Sequence, residues 1–205
     1  MGTEDRDKSS EQSDKTSIVI KSFSVQDIPV IKKWCEYWNE RGIVNNSSFD
    51  ELRLERLLLT LLTYNNGELA AISGVERVDD EFRILVRAAT TPHRPRIRGK
   101  HIEEMLWPWI GHASFEIQYV LDNIDASAKF FTTTTVDDTN GRTRGSDRTS
   151  HMLFNTKRPF RCLQENPKKI TLWNVEQWAW YVDPQKCIEM GQEHLPNWQE
   201  IYDSL

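Results

Sequence analysis

The sequence predicts an α+β fold built on one mixed, mainly antiparallel sheet flanked by helices. Three observations carry that expectation. Asn66-Gly67, the strongest short hairpin signal, lies between two apolar runs. Asp79-Asp80 supplies a second turn ahead of "EFRILVRAATT". Stretches of helical period stand on both sides of this three-strand meander, which separates the pattern from a regular alternation of strand and helix.

Taken in order, residues 1–16 are charged and Ser-rich with nothing to bury, and predict a disordered tail. "SIVIKSF" (17–23) is a short β-branched strand. "SVQDIPVIKKWCEYWNERG" is a helix capped by Ser24, with Asp27 as its acidic capping partner and Gly42 as its stop. Ile28, Ile31, Trp34, Cys35 and Trp38 step by three and four along it and form one buried face. "SSFDELRLERLL" reads as a second helix. The meander follows at 57–64, 68–78 and 81–91. "KHIEEMLWPWIGHASFEIQYVLDNI" is helical, with Pro108 kinking it or ending its first part. "AKFFTTTTVD" is a strand, "DDTNGRTRGSDR" a polar loop and "TSHMLFNT" a short helix. "PFRCL" and "ITLWNVEQWAWYV" are strands, and the remainder is helical. The expected organisation is one domain over 17–183 with a C-terminal helical extension over 184–205.

Composition narrows the function classes. With 205 residues the chain can bury a substantial core. Lys and Arg total 26 against 31 Asp and Glu, a net charge of −5, so a general nucleic-acid coat is disfavoured and only local basic patches need explaining. No run approaches the roughly 18 apolar residues of a membrane span. The start lacks an apolar core and is not a signal peptide, and Arg6 breaks the myristoylation pattern. Cys35, Cys162 and Cys187 are unclustered, which points to a reducing, cytoplasmic setting. His93, His101 and His112 lack the spacing and neighbouring cysteines of a zinc site.

Against that acidic balance, "TTPHRPRIRGKHIEEML" gathers Arg96, Arg98, Lys100 and His101 around Gly99, where a helix begins. Helix N-termini expose unpaired N–H groups and carry roughly half a positive charge, and glycine lets a phosphate approach the backbone. The stretch suits a pyrophosphate; a solvated loop paired with Glu103 and Glu104 is the bland alternative.

The order of elements and this loop resemble the GCN5-related N-acetyltransferase family. Its signature, Arg or Gln, two residues, Gly, one residue, then Gly or Ala, maps onto Arg96-Ile97-Arg98-Gly99-Lys100-His101. Arg96 and Gly99 fit, and His101 stands in the final small-residue position. Downstream, "FNTKRPF" (154–160) is similar to the family's Phe-Tyr-Glu-Lys-Leu-Gly-Phe, with Pro159 for the glycine and Asn155 for the tyrosine that often protonates the leaving thiolate. The style of the chain also resembles divergent acetyltransferase-like proteins of bacteriophages.

The resemblance implies acetyl-coenzyme A, or another acyl-coenzyme A, as cofactor and an amine as acceptor. Phosphates would sit at Arg96, Arg98, Gly99, Lys100 and His101. The thioester carbonyl would meet main-chain N–H groups near Ala89, Thr90 and Thr91, and Asn155 would lie beside the leaving group. Acyl transfer also requires the amine to lose a proton. The candidate bases are Glu76 and Glu81, against the alternative of surface carboxylates in a hairpin; Ser150 and His151 are candidate donors to the thiolate.

Two other features stay open. Arg142, Arg144 and Arg148 lie in a polar loop beside Asp137 and Asp138, either contacting an acidic substrate or nucleic acid or simply exposed. In "LWNVEQWAWYV", Trp178, Trp180 and Val182 share one strand face with Glu176, while Trp173, Val175, Gln177, Ala179 and Tyr181 share the other. Core packing and a homodimer interface are the common uses of such Trp residues, base stacking a rarer one. Three readings follow: an acyl-coenzyme A-dependent N-acyltransferase; a catalytically inactive binding or assembly protein of the same fold, favoured by His101 and Asn155; and, least favoured by charge, a nucleic-acid-directed modifying protein.

Overall fold

The computed structural model describes residues 18–40, 53–88, 102–135, 162–164 and 167–205. Among these residues seven strands form one sheet: β1 (Ile18–Ser22), β2 (Leu57–Asn65), β3 (Glu68–Val78), β4 (Glu81–Ala88), β5 (Phe130–Thr135), β6 (Lys168–Leu172) and β7 (Val175–Val182). Their spatial order is β1-β2-β3-β4-β5-β7-β6. Every neighbouring pair is antiparallel except β4 and β5, which run parallel. Among the described residues four helices accompany the sheet: α1 (Ile28–Glu40), α2 (Ile102–Asn123), α3 (Pro184–His194) and α4 (Trp198–Asp203). The α+β expectation of a mixed, mainly antiparallel sheet flanked by helices matches this architecture.

Local chemistry accounts for the meander. Asn66 and Gly67 take φ of 50° and 82°, the left-handed pair that a tight hairpin turn requires, and Asp79 takes 53° at the next turn. The first helix opens as the Ser24 signal suggests. Asp27 accepts hydrogen bonds from the Ser24 N–H at 2.9 Å and the Ser24 hydroxyl at 3.1 Å. Lys21 reaches the same carboxylate at 2.5 Å and ties β1 to the helix start. The first turn is a 3-10 turn, Val25–Asp27, before α1 proper begins.

Side-chain alternation divides the core in two. Ile31, Trp34 and Cys35 of α1 pack against Leu62, Leu69 and Ile72 on one sheet face. On the other face, Ala113, Phe115, Ile117 and Val120 of α2 pack with Leu61, Val75, Phe82, Ile84, Phe130 and Trp180. α3 and α4 lie against α2 and contribute Ile188, Met190 and Trp198 to that second core. The Trp198 ring stacks 5.1 Å from Phe115 and 5.3 Å from Tyr202.

Two elements differ from the sequence reading, and one open alternative is decided. The described part of the expected second helix is one 3-10 turn, Leu54–Arg56, and strand β2 starts at Leu57. Arg53, at φ 47°, lies in the left-handed region and interrupts helical geometry there. Of the two alternatives at Pro108, ending the helix is excluded, because α2 runs through it for 22 residues. "ITLWNVEQWAWYV" is two strands, because Trp173 and Asn174, at φ 50° and 64°, turn the chain between β6 and β7. Asn favours that region, whereas a bulky Trp rarely enters it, so the turn carried only half a signal. The expected tail at 1–16, the polar loop with Arg142, Arg144 and Arg148, the helix "TSHMLFNT" and most of "PFRCL" lie outside the described residues.

The contact between α3 and α2 admits no side chain at Gly191. A Cβ there would stand 2.2 Å from Ser114 Oγ and 2.5 Å from Ser114 Cβ. Ser114 is itself held, donating to the Gly111 carbonyl at 2.7 Å and accepting from Trp198 Nε1 at 2.7 Å. Gly191→Ala is therefore expected to destabilise the fold by about 1–3 kcal/mol through overpacking. Urea unfolding should show a lower midpoint at unchanged slope; an unshifted midpoint would contradict this account.

Candidate active site

The parallel strands β4 and β5 pair at two positions only, Phe82 with Phe130 and Arg83 with Phe131. The Phe82 N–H donates to the Lys129 carbonyl at 2.8 Å. One residue beyond the last pair, the Thr132 hydroxyl donates to the Ile84 carbonyl at 3.1 Å, a side chain standing where a ladder donor would have been. From there β4 continues to Ala88 and β5 to Thr135 without further ladder pairs between them. Two strand edges thus face a gap inside the sheet, and strand edges are surfaces that an extended ligand can bond. The gap opens toward the end of β4, from which the chain runs through residues 89–101 to α2 at Ile102.

At its apex, on the sheet face that carries α1, Arg83 organises a polar cluster. One terminal nitrogen donates to Glu76 Oε1 at 3.0 Å, while Nε and the other terminal nitrogen donate to Thr133 Oγ1 at 3.1 and 2.8 Å. The Glu76 and Arg83 side chains are only 7% and 11% exposed, so each charge depends on the other to offset desolvation. The Arg83 guanidinium carbon also lies 4.8 Å from the centre of the Trp173 ring, and that of Arg53 lies 5.4 Å from it. Five elements converge here: the turn before β2, β3, β4, β5 and the β6–β7 turn.

The opposite sheet face holds a fully buried polar chain. His112 Nε2 is bonded to the Thr63 hydroxyl, His112 Nδ1 lies 2.5 Å from Ser73 Oγ, and Ser73 donates to Glu116 Oε1. Glu116 Oε2 has no partner among the described residues. Burial pushes the His112 imidazolium down to about 3 and the Glu116 carboxyl well above its usual range, the Ser73 bond only partly opposing the latter. Burial thus favours the neutral form of both groups. Cys187 is held up by its hydrogen bond with Cys162 and by burial. These groups fix how α2 sits on β2 and β3; none is exposed, so they touch no substrate.

Of the sequence-derived candidates, Glu76 lies at the apex of the gap, engaged by Arg83. Glu81 lies at the closed end of the β4–β5 pair and accepts from the Tyr181 hydroxyl at 2.9 Å. Burial, then Glu81 itself, raises the Tyr181 phenol. Ala89, Thr90, Thr91, Arg96, Arg98, Gly99, Lys100 and His101 lie outside the described residues, as do Ser150, His151 and Asn155. Arg53, Arg83, Thr133 and the role of Trp173 were missed by sequence reasoning. The Glu76–Arg83 pair could have been found, since the Asp79-Asp80 hairpin brings those positions opposite one another. The Arg53–Trp173 contact had no sequence signal. His112 and Glu116 did: they stand four apart on an otherwise apolar helical stretch.

No protein-family model and no curated protein sequence matches the chain. Solved structures do. An N-acetyltransferase from Staphylococcus aureus Mu50 superposes with TM-score 0.51 at 14% identity, over 82% of this chain and 99% of that one. An aminoglycoside acetyltransferase solved with coenzyme A and kanamycin superposes with TM-score 0.50 at 10% identity, over 86% of this chain and 99% of that one. At such identities the likeness is one of fold.

The buried pair gives stability a definite pH signature. Below pH 6.5 the unfolded chain takes up the His112 proton that the folded chain refuses until about 3, so stability falls as pH drops through that window. Above pH 4.5 the unfolded chain sheds the Glu116 proton that the folded chain keeps, so stability falls as pH rises. The two slopes therefore oppose each other as pH rises from 4.5. Glu116→Gln should gain on the parent chain by up to about 1.4 kcal/mol per pH unit in urea unfolding followed upward from pH 4.5. A pH-independent difference would rule this out.

Proposed function

We propose that this chain, whose fold is that of the GCN5-related N-acetyltransferases, is an acyl-coenzyme A-dependent N-acyltransferase acting on an amine. The observation that carries the reading is the early separation of β4 from β5. An acyl-pantetheine arm is extended and amide-bearing, and the free edge of β4 offers it main-chain partners of the kind a strand would use. In this reading the pyrophosphate lies on the loop of Arg96, Arg98, Gly99, Lys100 and His101, ahead of α2. The thioester carbonyl lies near the main-chain N–H groups of Ala89, Thr90 and Thr91, which receive the developing oxyanion.

The acceptor nitrogen attacks that carbonyl, the carbon–sulfur bond breaks, and the nitrogen's proton leaves as the thiolate gains one. Glu76, at the apex, is the better placed of the two candidate bases and acts through water, since Arg83 occupies its Oε1. Ser150 or His151 would return a proton to the thiolate, with Asn155 beside it. The second reading, a binding or assembly protein without catalysis, is favoured by His101 and Asn155 standing where the family's small residue and tyrosine would be.

Isothermal titration calorimetry with acetyl-coenzyme A tests the reading. The parent chain should bind in the micromolar range, and Arg96→Ala and Gly99→Glu should each weaken binding at least about tenfold, by removing a charge-assisted contact and by blocking the backbone approach. Absence of binding at millimolar ligand would overturn it. Binding without thiol release across a panel of amines would select the non-catalytic alternative.

A further inference from the structure

We infer that Arg53, Trp173 and Arg83 form an acceptor-recognition site for amines that carry a single carboxylate. The inference rests on the acyltransferase reading and specifies its substrate class.

Three segments remote in sequence meet at this point: the turn before β2, the apex of β4, and the β6–β7 turn. Two of the three residues hold backbone that L side chains rarely adopt, Arg53 at φ 47° and Trp173 at φ 50°. Such conformations persist only where the surroundings impose them, and they concentrate at functional sites. Trp173 is nonetheless 47% exposed, so the cluster faces solvent and is not a closed core.

The charges are unequal. Arg83 has its guanidinium committed to Glu76 and Thr133. Among the described residues, Arg53 contacts only the Trp173 ring, through its face-directed attraction to the guanidinium. No described residue accepts from its N–H groups, and a guanidinium presents them as a planar fork that matches a carboxylate in two parallel hydrogen bonds. Two guanidiniums against one carboxylate leave one net positive charge in the cluster. That suits a monoanion, whereas a phosphate dianion would meet the Glu76 carboxylate without a second free cation.

Position supplies the remaining argument. Arg83 is the last β4 residue paired with β5, so the cluster borders the point where the gap begins. A carboxylate held there leaves the amine of a small acceptor beside the opening, on the face that also carries Glu76.

The test uses L-amino acids, their matched amides and O-phosphoethanolamine as probes. Saturation-transfer NMR would measure their binding, and acetyl-coenzyme A-dependent thiol release their use as acceptors. Amino acids should bind at least about tenfold better than their amides, and better than O-phosphoethanolamine. Arg53→Gln should erase the preference for acid over amide while leaving acetyl-coenzyme A affinity unchanged; Trp173→Phe, which keeps a ring, should retain most of it. Equal binding of acids and amides, preference for the phosphate, or a preference that survives Arg53→Gln would overturn the inference. If acetyl-coenzyme A does not bind but the Arg53-dependent carboxylate preference remains, the acyltransferase reading falls and the carboxylate site stands.

Discussion

A parallel strand pair cannot be closed by a tight turn. The one such pair among the described residues, β4 with β5, requires the chain to leave the sheet, cross one face as α2 and return. Much of the molecule follows from that constraint. The helix covers the face formed by Leu61, Val75, Phe82 and Ile84, and α3 and α4 then cover the helix. The crossover also leaves β4 at one end of the gap and enters α2 from the same end, so any ligand extended along β4 points its far end toward the start of α2. A backbone opening and a helix N-terminus are brought into line by topology alone.

Polar groups are used differently on the two sheet faces. Under α2, His112, Ser73, Thr63 and Glu116 form a buried chain in which burial favours the neutral form of the ionisable members. Such a chain sets register: sliding α2 would strand each member without its partner in an apolar core. On the α1 face, Glu76 and Arg83 hold opposite charges beneath an exposed indole. That arrangement holds a charge pair at the apex of the gap. The contrast separates a structural polar network from a candidate functional one without appeal to residue type, since both contain a glutamate and hydroxyls.

The fold was legible wherever local chemistry and pattern agreed. Asn66-Gly67 and Asp79-Asp80 placed three strands almost to the residue, and Ser24 with Asp27 marked the start of the first helix. Reading failed where tertiary contacts override a local preference. Arg53 and Trp173 adopt left-handed backbone with no glycine to announce it, and both are found against one another. A helical reading of "SSFDELRLERLL" and a single-strand reading of "ITLWNVEQWAWYV" are what local propensity supports once that contact is unknown. The two misread turns are thus one omission, and it lies at the candidate acceptor site.

The same logic explains why the candidate base was only half visible. Glu76 stands out in sequence as a charge among Val75, Gly74 and Ser73, yet its setting depends on Arg83, Thr133 and Trp173, which come from β4, β5 and the β6–β7 turn. A carboxylate already bound to a guanidinium cannot be the strong, free acceptor that a hairpin surface would leave it. Its usefulness to an amine at the gap then comes through its second oxygen and through the field of the pair, and Arg83 becomes the residue on which both its charge and its position depend. Removing Arg83 would leave a buried, unpaired carboxylate at the apex. The strand separation would lose its anchor to Thr133 in the same step, which couples the geometry of the gap to the chemistry at its apex.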